Sequence, residues 1–217
     1  MAPKQPFLYF LTLAVLLVSS LVPSASVNAQ IPVTADGAPA LADVEQASSD
    51  STVLSLVDFA SSLKNGGSDI RGIHVPGIMA YRVVQQPSGQ NGFVSGTRGT
   101  VTQFSLASNY GSIGMLAHNY LAGEKFVELQ IDDIIHIVYG DGSFNSFKIK
   151  EIHRFQALQP TSPSSDFIDL ETNEELTATT LFKRMYAGKT HLTLQTCIAA
   201  ESESSWGRLF IIAEPIS

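Results

Sequence analysis

The sequence predicts an all-β domain, a closed or nearly closed β-barrel of seven or eight short strands with two or three short helices. Three observations carry this. From Gly72 onward the apolar residues fall in short, β-branched runs separated by Gly, Pro, Asn and Ser at turn positions. Two of these runs are joined by Gly140-Asp141-Gly142, a strong hairpin signal. A third run, His191 to Cys197, alternates polar and apolar residues with the period of a strand. No internal repeat is visible.

At the N-terminus, Lys4 precedes an apolar stretch from Phe7 to Val18 and a small-residue site, Val27-Asn28-Ala29, so residues 1–29 read as a secretory signal peptide cut after Ala29. Leu21-Val22 extend the apolar character, which leaves an uncleaved signal anchor as the alternative. Residues 30–50, rich in Ala, Pro, Asp and Ser, read as a flexible leader. Residues 51–71 hold an N-terminal helix and connector, with Val53, Leu54, Val57, Ala60 and Leu63 at helical spacing ahead of Gly66-Gly67. The barrel domain is expected over 72–217.

Within it, Ile73 to Val84 is apolar, and Pro76-Gly77 places a turn or an edge inside it. A Gly-rich loop at 87–99 leads to a short helix over Val101 to Tyr110, ended by Gly111. Ile113 to Ala117 reads as a buried strand that delivers His118 to its C-terminal end. Strands Asp133–Tyr139 and Phe144–Phe155 flank the hairpin, the second only partly amphipathic. After a loop at 159–170, Thr172 and Glu175 fit a capping box for a helix through Tyr186, and Gly188 ends it. The cysteine strand, a polar loop at 198–206 and a strand from Gly207 to Ala213 complete the domain.

Composition narrows the function. Without residues 1–29 the chain has 188 residues, enough for one domain. Lys4 is the only charged residue removed, so 12 basic residues face 20 acidic ones and the net charge is −8. Such a balance argues against nucleic acid and against attraction to an anionic membrane, with membrane association expected only if the N-terminal segment stays uncleaved. The histidines lack a His-Glu-x-x-His pattern, and Gly89 to Gly99 lacks the spacing of a phosphate or dinucleotide loop. No metal or cofactor is expected.

Cys197 is the only cysteine, in a chain that begins like a secreted one. It has no intramolecular disulfide partner and is therefore reactive, intermolecular or simply buried. Alternation puts His191, Thr193, Gln195 and Cys197 on one strand face and Leu192, Leu194 and Thr196 on the other. His191 is six extended residues from Cys197, roughly 20 Å at about 3.3 Å per residue, too far to act as its base. His136 and His153 fall inside strands and read as structural. His118 sits at a strand-to-loop junction, where active residues are often found. Arg208 opens the strand after the polar loop, and hairpin pairing would set it across from the thiol. It could then donate to an oxyanion, or instead face water or pair with Glu201 or Glu203.

Together these residues carry a resemblance. Thr193-Leu194-Gln195-Thr196-Cys197, followed eleven residues later by Arg208 in Trp206-Gly207-Arg208-Leu209-Phe210-Ile211, resembles the cysteine and arginine strands of sortases. Ile113-Gly114-Met115-Leu116-Ala117-His118-Asn119, with Phe126, Leu129 and the strand from Asp133, resembles their histidine strand and its downstream region. The similarity covers roughly residues 72 to 215. It implies an eight-stranded barrel in which Cys197 is the nucleophile, His118 the general acid/base and Arg208 the stabiliser of substrate and oxyanion. It further implies a cysteine transpeptidase that cleaves a C-terminal sorting motif of secreted proteins through a thioacyl intermediate and transfers it to an amine acceptor. The alternative is a thiol hydrolase of the same fold, or an inactive peptide-binding or structural module. The expected location is secreted, or on the extracellular face of the cell envelope. Two departures stand out: Ala117 replaces the glycine usual before this histidine, and Glu201 and Glu203 put negative charge near Cys197.

Overall fold

A computed structural model describes residues 53–162 and 164–216; the expected signal peptide and leader lie outside them. The first element is helix α1, Leu56–Ser62, whose N-cap Ser55 accepts a hydrogen bond from the Asp58 amide. Its buried face is Phe59 and Ala60, continued by Leu63, whereas Leu54 and Val57 are exposed. The apolar stripe read from the sequence is thus only half right, because the helix begins after Leu54 and turns Val57 outward.

Among the described residues ten strands follow: β1 Ile70–Val75, β2 Met79–Gln85, β3 Thr100–Phe104, β4 Ile113–Leu116, β5 Ile134–Tyr139, β6 Phe144–Ala157, β7 Phe167–Asp169, β8 Glu175–Leu176, β9 Leu192–Ala200 and β10 Glu203–Pro215. They form one sheet in the order β10-β9-β4-β3-β2-β1-β5-β6-β7-β8. An added β10–β6 pairing closes the eight strands from β10 to β6 into a barrel and leaves β7 and β8 as an extension. Closure pairs both edges of the ring, so no long strand edge is left open there.

The interior holds Ile73, Met115, Ile135, Ile137, Ile149, Leu192, Leu194 and Ile211, all essentially inaccessible. A second cluster lies outside the ring, where helix α3, Ala178–Tyr186, packs Leu181, Met185 and Tyr186 against Phe155 and Phe210. The third joins Phe59, Ala60 and Leu63 of α1 to Val138. Gly72 lies beneath α1, where a side chain would collide with Leu63 and Phe59.

Several boundaries differ from the sequence reading. The helix expected over 101–110 is strand β3 followed by α2, Ser105–Ser108, because Val101 and Thr102 pair in parallel with β2. The loop at 159–170 contains β7. Thr172 and Glu175 do not cap α3; Glu175 belongs to β8, and Thr177 caps the helix by accepting from the Thr180 amide. Strand β6 reads as only partly amphipathic because its register against β10 shifts between Ile149 and Glu151. That bulge ends the inward run of Phe147 and Ile149 and leaves Glu151 exposed.

Candidate active site

Cys197 lies on β9, between β4 and β10. Leu192 and Leu194 enter the barrel core, and on the other face Gln195 Oε1 accepts the hydroxyl proton of Tyr186 from α3. By the same alternation Cys197 shares the outer face with Gln195, and it is a free, half-buried thiol. The polar face read from the sequence is the face that leaves the core.

Pairing sets its neighbours. Against β10, Cys197 is the direct partner of Arg208. Against β4 the pairing is parallel, Leu116 opposite Gln195, and it runs on past the strand end: the Ala117 amide donates to the Gln195 carbonyl at 3.2 Å. The Thr196 hydroxyl, fully buried, donates to the Ala117 carbonyl at 2.9 Å across an offset of 79 residues. The same offset brings His118 level with Cys197. With neighbouring strands about 4.8 Å apart, Cys197 and Arg208 sit side by side on β9 and β10, and His118 follows two residues after the end of β4. The pairing sets Arg208 beside Cys197 on one side and the start of the His118 loop along the cysteine strand on the other.

His118 is half-buried, and its ring stacks on Tyr120 at a centroid distance of 5.1 Å and an interplanar angle of 19°. Its carbonyl accepts from the amides of Leu121 and Gly123, both at 3.0 Å. A short 3-10 helix, Ala122–Glu128, starts there, and a side chain on Gly123 would strike the Thr196 hydroxyl and the His118 carbonyl. The backbone behind the histidine is thus packed directly on the cysteine strand.

The polar loop expected over 198–206 is absent. Strand β9 runs to Ala200 and β10 begins at Glu203, so Cys197 and Arg208 both lie within strands and not at their ends. Glu201 makes the turn with a φ of 52°. The ladder is irregular between Glu203 and Gly207, a bulge whose consecutive carbonyls serve the site. Ser204 O accepts from Asn119 Nδ2 and Ser205 O accepts from Arg208 Nη1, each at 2.9 Å.

Arg208 Nη1 also donates to its neighbour Gly207 O at 2.9 Å, and the guanidinium carbon sits 6.0 Å from the Phe167 ring centroid. Neither Glu201 nor Glu203 pairs with it among the described residues; the Glu203 carboxylate accepts from the Ser205 amide at 2.8 Å, and Glu201 is exposed. Tyr186 packs on the same outer face: burial pushes its phenol far above the ordinary range, so it stays a neutral donor, 2.6 Å from Gln195 Oε1.

A cavity of about 200 Å³ opens beside Arg208, which lines it with Gln195, Phe167, Phe182 and Phe210 among others. A larger cavity, about 660 Å³, lies farther along the same face around Arg184, Lys189, His191 and Glu214, and touches none of the three residues. His191 is held there, its Nδ1 2.7 Å from Lys189 O and its Nε2 3.0 Å from Met185 O. His136 Nδ1 meets the Ser146 hydroxyl and His153 Nε2 the Glu151 carboxylate. Sequence reasoning assigns no role to Asn119, Thr196 or Tyr186, whose contacts depend on pairings between distant segments.

Among solved structures, the chain is similar to sortases. It aligns with sortase C1 from Streptococcus suis at 15% identity over 74% of this chain and 79% of that one, with a TM-score of 0.47. A pilus-related sortase C of Group B Streptococcus aligns at 14% over 78% and 77%, with a TM-score of 0.46. Sortase A of Listeria monocytogenes aligns at 12% over 70% and 89%, with a TM-score of 0.42. No family model matches the chain, and no curated protein is significantly similar to it.

Proposed function

We propose that this protein is a sortase-type cysteine transpeptidase acting on a peptide sorting motif and an amine acceptor. The observation that supports the reading is the direct pairing of Cys197 with Arg208, with the segment leading into His118 bonded along the other side of the cysteine strand and an apolar-walled cavity beside Arg208. The Cys197 thiolate attacks the scissile carbonyl, and Arg208 donates to the oxygen that gains charge. Collapse of that adduct breaks the C–N bond; His118, as imidazolium, gives its proton to the departing amine and leaves a thioester on Cys197. An incoming amine attacks the thioester, passes a proton to neutral His118 and releases the thiolate.

A peptide lying along the cysteine strand can place a side chain between Phe167, Phe182 and Phe210 while Arg208 meets its backbone. The test is to incubate purified protein with a sorting-motif peptide library and several amines, and to identify products by mass spectrometry. Amide products that require both Cys197 and the added amine support transfer. Cleavage by water alone assigns the thiol hydrolase, and no turnover of any peptide assigns the inactive module.

A further inference from the structure

We propose that Tyr120 is the positioning residue for His118: its ring holds the imidazole by the flat face, so that both imidazole nitrogens stay free to carry a proton. The inference rests on the acid/base role given to His118 above.

The chain's other four histidines are each met at a ring nitrogen: His74 by the Leu54 carbonyl, His136 by the Ser146 hydroxyl, His153 by the Glu151 carboxylate, and His191 by the Lys189 and Met185 carbonyls. Among the described residues neither nitrogen of His118 has such a partner. Its imidazole is met instead by the Tyr120 ring, stacked on it at a centroid distance of 5.1 Å and an interplanar angle of 19°. Stacked aromatic rings attract at this separation.

The backbone beneath the stack is tied down. The His118 carbonyl accepts from the Leu121 amide at 3.0 Å, which closes a tight turn around Tyr120, and from the Gly123 amide at 3.0 Å. Asn119, between the two rings in sequence, is anchored to the Ser204 carbonyl at 2.9 Å. These bonds fix the backbone of both stacked residues and use neither side chain.

Tyr120 is 64% exposed, more than any other aromatic ring among the described residues. A ring that buries so little adds little to the core, so packing does not account for its place against the imidazole. Its hydroxyl has no hydrogen-bond partner among the described residues, which leaves the ring face as the group in use. A general acid/base has to give up a proton and take one back in each turnover. A polar partner at one nitrogen fixes the ring by occupying that nitrogen. The Tyr120 face fixes it and occupies neither.

The test follows the His118 ring signals in ¹³C–¹H spectra, identified by their loss in His118→Gln, together with steady-state kinetics on the best library peptide. In Tyr120→Leu the signals are expected to move as the ring current is lost, and kcat to fall about 3- to 10-fold with KM changed less than about twofold. Tyr120→Phe should restore both. An unchanged urea midpoint shows that the variants are folded. His118 signals that stay in place in Tyr120→Leu, a kcat equal to wild type, or a rise in KM alone would each overturn the proposal. An equal loss in Tyr120→Phe would assign the effect to the hydroxyl and overturn it as well. If the wild type turns over no peptide, the function assigned above fails by itself, and the ring signals alone decide whether Tyr120 holds His118.

Discussion

Thr196 links the cysteine strand to the histidine loop through one buried hydroxyl donating to the Ala117 carbonyl. Thr196→Val keeps the shape and removes the donor, so it is expected to cost about 1–3 kcal/mol, read as a lower midpoint in urea unfolding. On the proposed mechanism Arg208→Lys keeps the charge but loses the planar fork. We expect kcat to fall by about 10²-fold, with substrate binding changed much less, measured by steady-state kinetics on the best library peptide. The pairing of Cys197 with Arg208 is legible in the sequence, because a hairpin joins neighbouring segments, whereas His118 enters only through the resemblance to sortases, since its place beside the cysteine strand depends on the parallel pairing of β4 with β9. The role of Thr196 is not legible, since its partner lies 79 residues away.

Among the elements, the β9–β10 hairpin decides the geometry. Its bulge presents Ser204 O to Asn119 and Ser205 O to Arg208, so one irregularity holds both the histidine loop and the guanidinium. Asn119→Ala should therefore lower kcat while leaving the unfolding midpoint nearly unchanged, because the bond it removes is exposed. The hairpin reads as a polar loop in the sequence because Ala199 to Ser205 is polar and small, whereas the ladder here is set by backbone pairing and a tight turn at Glu201. Parallel pairing of β3 with β2 likewise overrides a helix-like pattern over 101–110.

Across the barrel as a whole, closure is legible in the spacing of runs and turns, but the closing pair, β6 with β10, joins segments whose pairing no local signal reports. The outer face of β1 and β5 carries His74 opposite His136 under α1, where His74 Nε2 lies 2.9 Å from the Leu54 carbonyl. Burial first, and His74 second, push His136 below the ordinary histidine range. The unfolded chain then binds more protons than the folded one as pH falls through about 6.5, so stability is lost in that direction. Thermal unfolding followed from about pH 7.5 down to about pH 5 should show the midpoint falling below about pH 6.5, with a shallower fall in His136→Phe.

The proposed chemistry stands on one step, acylation of Cys197 by the peptide. Intact-mass spectrometry of the protein mixed with a cleavable sorting-motif peptide reads that step. The expected result is an adduct equal to the acyl fragment, located on Cys197, removed by hydroxylamine as a thioester is, and absent in Cys197→Ala. An adduct that survives in Cys197→Ala, or peptide turnover by the wild-type chain that continues undiminished in Cys197→Ala, would refute it.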